Sequence, residues 1–366
     1  MALILNKTGI TTGNTVEAYH VTQSVDAFTG TVAYDISLSG SLLLTGSMTN
    51  GTSDNVANNF SHAEGQTNIA SGYTSHAEGS NNIASGVAAH AEGAQNVALG
   101  NASHAEGQSV TSSGGWSHAE GYQTISSGSH SHAEGYQTIT IGIAAHTEGF
   151  LTTASGDYSH AEGHLTRATG LYSHAQGSGS LASGIASIAA GLQTTASGQY
   201  SFASGFQSKA IGQSSLAIGV QTTANGQGGV AFGYGTFAGQ SAVALGTFTS
   251  ASGQNSLSIG DNSISLGNSS FAQGAYTIAS GSWQFAAGQY NTQGDNTSLF
   301  IVGNGNGVTR KDAFKVRMSG SIVLPTTQST VPSWTGTSGE IVPATVGGVH
   351  FLYMWMGGAW RSASFS

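Results

Sequence analysis

Hydrophobic and polar residues alternate along most of this chain in short words that end in glycine and recur every fourteen residues. The early words read Ser-His-Ala-Glu-Gly, as at 61–65, and the later words take forms such as Ser-Leu-Ala-Ile-Gly, at 215–219. Alternation with period two is strand geometry, and a second glycine at the half period, such as Gly72, marks another turn. Each unit is therefore predicted to be two short strands and two turns, stacked into a solenoid.

The short period limits what the interior of each coil can hold. A fourteen-residue coil with two turns leaves few residues on each side, so its two sheets lie close together. Ala63 on one strand and Ala70 on the other, with their successors, are predicted to point inward. The larger second and fourth residues of each word are predicted to point outward. Glycine at both corners is expected to permit the positive φ that a tight reversal needs.

The repeat also divides the chain into regions. Residues 59–290 are predicted to form the shaft, and residues 1–58 an N-terminal β domain that attaches it. Residues 291–319 are a junction, and residues 320–366 a C-terminal β tip or cap that contains all three prolines and three of the five tryptophans. The predicted fold class is all-β, a parallel β-solenoid with a small β domain at each end.

Composition agrees with this prediction and excludes several classes of protein. The 55 glycines and the lack of a 3.6-residue apolar stripe argue against a helical protein. The chain has no cysteine, which excludes a disulfide framework. Its net charge is −9 and five of its eight basic residues follow position 309, so nucleic acid is not an expected partner. The chain lacks a long apolar run and a signal peptide, so membrane insertion is not expected.

An apolar stripe in the later coils predicts self-association. The outward pairs of these words are Leu216 with Ile218, Val230 with Phe232, and Val243 with Leu245. A single roll would leave this stripe in water, and an exposed stripe of this kind marks an interface. Closed symmetry favours identical partners, so the chain is predicted to associate with copies of itself.

The repeated words resemble those of a known family. The form Ser-Val/Ile/Leu-Ala-Ile/Leu-Gly is similar to the YadA-type head repeat of trimeric adhesins, and Ser-His-Ala-Glu-Gly resembles the variant found in phage fibre proteins. The segments 288–291, 299–305 and 313–316 resemble the junction that follows such repeats in phage tail proteins. The resemblance implies a left-handed parallel β-roll and a homotrimer of parallel chains, with the Val/Ile positions of the word at the trimer interface.

The early words place histidine and glutamate at these interface positions. The predicted interface ladder is His62, Glu64, His76, Glu78, His90, Glu92, His104, Glu106, His118, Glu120, His132, Glu134, His146, Glu148, His160, Glu162 and His174. One interpretation is structural, with histidine donating to glutamate across the interface beside ordered water. The other is capture of a metal ion or anion by three imidazoles around the axis. The structural interpretation is preferred, because nine equal sites indicate architecture, so neither a metal nor a cofactor is predicted.

Aromatic residues recur at two further positions of the repeat. One set is Tyr122, Tyr136, Phe150, Phe206 and Tyr234, and the other is Trp116, Tyr158, Tyr172 and Tyr200. Both sets are expected to pack between neighbouring coils, with sugar binding as the alternative. Near the C-terminus, the candidate receptor contacts are Trp334, Tyr353, Trp355 and Trp360. The alternative for that cluster is the core of a small β tip.

The predicted function is that of a structural fibre of a phage tail or capsid that adheres to the host surface. The expected partners are further copies of the chain, a virion attachment protein and a host cell-surface glycan or protein, and the expected location is the surface of the virion. A bacterial trimeric adhesin is the alternative, although a signal peptide, a coiled-coil stalk and a membrane anchor are then expected. A polysaccharide-cleaving tailspike is a further alternative, but a repeated His-x-Glu without a nucleophile or pocket predicts no enzyme.

Overall fold

The protein is an all-β parallel solenoid of about 18 turns. The computed structural model describes residues 48–51, 55–58, 60–323, 332, 336, 341–346, 349–356 and 358–365. No helix occurs among these residues. The prediction of a β-solenoid is therefore confirmed, because strands alternate with tight turns wherever the fourteen-residue words occur.

Each turn contributes one long strand, and all but the last two also contribute a short strand. The long strands are Met48–Gly51, His62–Gln66, His76–Ser80, His90–Ala94, His104–Gln108, His118–Tyr122, His132–Tyr136, His146–Phe150, His160–His164, His174–Ser178, Ile188–Leu192, Phe202–Phe206, Leu216–Val220, Val230–Tyr234, Val243–Thr247, Leu257–Asp261, Phe271–Ala275, Phe285–Gln289 and Ser298–Asn304. The short strands are Val56–Ala57, Ile69–Ala70, Ile83–Ala84, Val97–Ala98, Thr111–Ser112, Ile125–Ser126, Ile139–Thr140, Thr153–Ala154, Arg167–Ala168, Leu181–Ala182, Thr195–Ala196, Lys209–Ala210, Thr223–Ala224, Phe237–Ala238, Ser250–Ala251, Ile264–Ser265 and Ile278–Ala279.

Equivalent residues of neighbouring coils pair with each other in parallel. His62 lies opposite His76 and Glu64 opposite Glu78, and this register continues from word to word. The one-residue deletion in the later repeat is absorbed in a turn, because Val230 still lies opposite Val243. Side chains at equivalent positions of successive coils therefore form columns along the solenoid.

The parallel sheet extends beyond the predicted shaft at both ends. Met48–Gly51 pairs with the first histidine word, and Ser298–Asn304 pairs with Phe285–Gln289. The predicted boundaries at 59 and 290 are therefore too narrow, because these flanking strands keep the register without a complete word. Of the predicted N-terminal domain, residues 1–47 lie outside the described residues.

A hairpin ends the parallel sheet on its C-terminal side. The strand Asp312–Arg317 pairs antiparallel with Ser298–Asn304. On its other edge, Asp312–Arg317 pairs antiparallel with Ile322–Val323. Lys315 Nζ lies 2.9 Å from Asp295 Oδ2 and 2.6 Å from Asp312 Oδ2. Burial opposes ionisation of Asp295, but hydrogen bonds from Lys315, Ser298 and Thr297 lower its pKa overall. This ion pair therefore anchors the hairpin to the last coil.

Alanine forms the solenoid interior, as predicted. Ala63, Ala70 and their equivalents in most coils are completely buried. A second buried column, which the sequence reasoning missed, carries Asn68, Asn82 and Asn96. The Asn68 side chain donates to the carbonyl oxygens of Glu64 at 2.6 Å and Gly79 at 2.8 Å, and accepts from the Asn82 amide at 2.9 Å. The asparagines therefore satisfy corner backbone groups that the narrow interior isolates from water.

Both glycines of each coil stack closely on the backbone of the next coil, and only the word glycine is also required by its φ. The word glycine has a positive φ, for example +105° at Gly65, as predicted. The half-period glycines do not, which corrects the prediction that both supply a positive φ. A Cβ at Gly72 would overlap the carbonyl group of Gly86 in the next coil. Close backbone stacking therefore requires glycine at the half-period positions. The left-handed corner positions are occupied mainly by other residue types, such as Thr67 and Thr74.

The C-terminal segment forms a separate three-stranded antiparallel sheet. Its strands are Ile341–Val346, Val349–Met356 and Ala359–Phe365. Trp355 and Trp360 pack edge to face with ring centroids 5.4 Å apart. The aromatic cluster therefore contributes to the packing of a small β unit.

Candidate functional site

The outer face of the long strands carries the predicted histidine column. Alternation along the strand buries Ala63 and turns His62 and Glu64 outward. The nine imidazoles from His62 to His174 stack continuously, with neighbouring ring centroids 4.7–4.9 Å apart and ring planes within 16° of parallel. The structure therefore brings together all nine histidines that the sequence placed in the ladder.

Most Nε2 atoms of the histidine column lack a hydrogen-bond partner in a single chain. In the first five coils, His Nε2 lies 3.6–3.9 Å from the Oε2 of the glutamate two residues later, which is too long for a hydrogen bond. Among the described residues, eight of the nine Nε2 atoms are buried without a hydrogen-bond partner; only His174 Nε2 has one, Glu162 Oε1 at 3.3 Å. The histidine column is therefore a polar surface on which one chain leaves most Nε2 atoms without a hydrogen-bond partner.

Five of the stacked histidines favour the uncharged form. Burial, followed by the neighbouring His132 and His160, lowers the pKa of His146 to about 4. The pKa values of His76, His104, His132 and His160 are lowered too, in each case first by burial. Charging one imidazole disfavours charging the next, because stacked neighbours are only one coil apart.

An acidic groove of about 620 Å³ runs beside the histidines. It is lined by Glu134, Glu148, Glu162 and Gln176 together with word glycines. A hydrogen bond with Glu162 raises the pKa of Glu148. Burial raises the pKa of Glu162, but hydrogen bonds with Glu148 and His174 outweigh it and lower that pKa. These two carboxyl groups therefore share a proton more readily than isolated glutamates do.

The ladder offers metal ligands but one chain does not arrange them as a finished site. Groups such as His76, Glu78 and His90 place one ligand atom each within 4.8 Å of one another. Ligands of one zinc ion, with bonds of about 2.1 Å, lie no more than about 4.2 Å apart. Stacked imidazoles one coil apart exceed that span, so an ion would need ligands from another chain or a movement of the rings.

The same face becomes apolar in the second half of the solenoid. Leu216 and Ile218 are half-buried, and Phe232 is 53% exposed. Phe271 and Phe285 continue the outward column, with rings stacked at 4.7 Å. A single sheet face therefore changes from imidazole and carboxylate to aliphatic and aromatic side chains without a change in backbone register.

The first aromatic set occupies the last position of the long strands, and the second set lies at a turn. Tyr122, Tyr136, Phe150 and His164 form a continuous stack with centroid spacings of 4.8–5.3 Å. Neighbouring rings cover each other's faces, as expected for packing between coils. The second set is interrupted, with only the pairs Trp116–His130 and Tyr158–Tyr172 in contact.

The predicted receptor contacts at the C-terminus differ in accessibility. Tyr353 is only 6% exposed, which corrects its assignment as a receptor contact, because its ring packs within the sheet. Trp355 and Trp360 are partly exposed and keep some surface for a partner. Trp334 lies outside the described residues.

A known family model matches the apolar half of the solenoid. The YadA head domain repeat matches residues 182–208, 210–236, 238–263 and 258–282. Over these segments the chain is similar to YadA head domain repeats. The histidine words lie outside the matched YadA segments, although they share the backbone register of the repeats inside them. No curated protein matches the sequence. Within the described residues, no helix has the length and apolar character needed to span a bilayer.

Proposed function

We propose that the chain is the shaft and tip of a homotrimeric virion fibre that adheres to a host cell surface. This proposal rests on the outer face of the long strands, where one chain leaves polar atoms without partners and apolar side chains in contact with water. Its first half presents buried imidazole nitrogens without partners, and its second half presents apolar side chains such as Phe232. Two further copies would supply hydrogen-bond partners and cover the apolar half.

The YadA head repeats support the adhesive part of the proposal, since they suggest a trimeric autotransporter-like adhesin fold. They equally favour a second candidate, a trimeric adhesin displayed on a bacterial surface. Immunogold labelling separates the two, because the fibre proposal expects label on purified virions and the adhesin proposal expects label on the cell envelope. The fibre proposal also assigns to residues 1–58 the attachment of the fibre to the virion.

Native mass measurement is expected to give three times the 36.8 kDa chain mass. Replacing Phe232 by glutamate is expected to shift the protein towards monomers, because it places a charge on the apolar part of the proposed interface. Phe248→Glu is the matched control, since Phe248 is similarly exposed but follows the long strand at a corner. A monomeric or dimeric native protein, or equal effects of the two substitutions, would contradict the proposed interface.

Truncation after Gly320 is expected to leave trimers that no longer adsorb to host cells. The reason is that aromatic side chains give large contact areas at low entropic cost, and Trp355 and Trp360 lie in the removed sheet. Native mass and cell adsorption are measured on the same preparation. Normal adsorption would remove the tip from the binding proposal, and loss of trimers would instead make residues 320–366 a cap.

A further inference from the structure

One corner of the solenoid carries an interrupted column of rings, which we call the corner column. Its central members are Ala102, Trp116, His130, Ala144, Tyr158, Tyr172, Ala186, Tyr200 and Ser214. All nine have the same left-handed backbone, with φ between 50° and 58°. Their side chains therefore leave the backbone from equivalent points, one coil apart.

Neighbouring aromatic members stack and use one face of each ring. Trp116 stacks on His130 and Tyr158 on Tyr172, in both cases with centroids 5.1 Å apart. The rings are nevertheless well exposed, with 57% of Tyr172 and 57% of Tyr200 accessible. The corner column thus projects into solvent rather than into the solenoid.

Two alanines interrupt the column between aromatic neighbours. Ala144 separates His130 from Tyr158, and Ala186 separates Tyr172 from Tyr200. At each alanine one ring is missing, so two rings lie two coils apart over a small side chain. We call these gaps the Ala144 slot and the Ala186 slot.

The spacing of the coils determines what each slot can hold. Two coils span roughly 9.6 Å, twice the usual spacing of paired strands. A guest in carbon contact with both rings, at about 3.5–4.0 Å on each side, uses about 7–8 Å of that span. About 2 Å is left for the thickness of the guest itself, which suits a puckered saturated ring better than a flat aromatic one.

The surroundings of the slots combine apolar and hydrogen-bonding groups. Ile185, 42% exposed, flanks Ala186, and the Gln199 amide precedes Tyr200. Beside the Ala144 slot, Ser129 Oγ lies 3.0 Å from His130 Nδ1, and Asp157, which precedes Tyr158, accepts a hydrogen bond from Ile143 N through Oδ1 at 2.8 Å. Apolar ring faces bordered by amide, hydroxyl and carboxylate groups match a sugar, which has C–H groups on its faces and hydroxyls at its edge.

We propose that the Ala144 and Ala186 slots each bind a pyranose ring of a cell-surface polysaccharide. The proposal gives the ligand class for the adhesion proposed above and rests on it only for the biological setting. The continuous stack from Tyr122 to Phe150 is excluded as such a site, because its interior ring faces are already covered. It is the interruption of the corner column that makes ring faces available.

Filling the slots tests the proposal without removing any aromatic surface. The probes are hexasaccharides of glucose, galactose, mannose and N-acetylglucosamine, titrated calorimetrically against the full-length protein. The double variant Ala144→Tyr, Ala186→Tyr completes the column at positions whose neighbours already carry histidine or tyrosine at a similar φ. Ala88→Tyr is the matched control, because it adds the same ring between Thr74 and Ala102, where no slot exists.

We expect at least one hexasaccharide to bind, and the slot-filling variant to bind it roughly fivefold or more weakly, as expected for loss of stacking contacts. Ala88→Tyr is expected to bind like the original protein. Absence of binding to all four probes, or equal binding by the slot-filling variant, overturns the proposal. Circular dichroism and native mass verify that both variants keep their fold and assembly.

Adsorption to host cells distinguishes this proposal from the proposed function. If the protein adsorbs and the slot-filling variant adsorbs equally well, the slots are not the adhesive site and the fibre proposal stands. If filling the slots abolishes hexasaccharide binding but the original protein does not adsorb to host cells, the slots bind sugar and the proposed adhesive function is wrong.

Discussion

Substitution of Gly100 by alanine is expected to destabilise the solenoid by roughly 3 kcal/mol or more, the upper range for overpacking a close-packed interior. The new Cβ would overlap the carbonyl group of Gly114 in the next coil. The obstacle is backbone that is held in a parallel ladder, so no side chain can rotate away. Thermal unfolding followed by circular dichroism measures the effect, and limited proteolysis is expected to cut near the altered coil.

Gly115→Ala provides a matched control only fifteen residues away. A Cβ at Gly115 would lie 3.9 Å from its nearest neighbours, Asn101 O and Ser129 Oγ, which is ordinary contact. We expect this variant to melt within a few degrees of the original protein. Similar losses of stability in Gly100→Ala and Gly115→Ala would show that close backbone stacking is not what requires the half-period glycines.

Acid is expected to loosen coils 61–177 before coils 187–290. The pKa values of His76, His104, His132, His146 and His160 are lower in the folded chain than the usual 6.5, reaching about 4 at His146. The unfolded chain therefore binds more protons below pH 6.5, so this contribution to stability is complete above about pH 6.5 and is lost as pH falls towards 4. Hydrogen exchange at pH 7.5 and pH 4.5, corrected for intrinsic rates, measures the difference between the halves.

The apolar half of the same molecule is the internal control for this experiment. A variant with His132→Leu, His146→Leu and His160→Leu carries an aliphatic residue of the kind that Leu216 places in the same column. We expect its central coils to keep more of their protection at pH 4.5 than the original protein does. Equal protection of the two halves of the original protein at pH 4.5 would refute the role of the histidines.

The strand pattern was predictable because it depends on local alternation and a fixed period. Ala63 and Ala70 could be placed inside and His62 outside from the fourteen-residue repeat alone. The reason for the half-period glycines could not be predicted from the sequence. The close approach between Gly72 and Gly86 depends on the distance between coils rather than on the conformation of either residue.

The buried asparagines were missed although their signal was present. Asn68, Asn82 and Asn96 recur in frame, three residues after each word glycine. Polar residues near a turn usually suggest a solvated loop, so their burial emerged only once their hydrogen bonds to neighbouring coils were seen. The trimer interface stays a prediction, since the geometry of one chain shows an unfinished face and not its partner.

The constant register between coils has a consequence for how such a rod can change over generations. Each coil pairs only with the coil before and after it, so the energy of the shaft is close to a sum of neighbour terms. Unequal recombination within the repeated gene segment would insert or remove whole coils, altering length by about 4.8 Å per unit. The terminal elements would be untouched, so the reach of the molecule can vary independently of what its ends do.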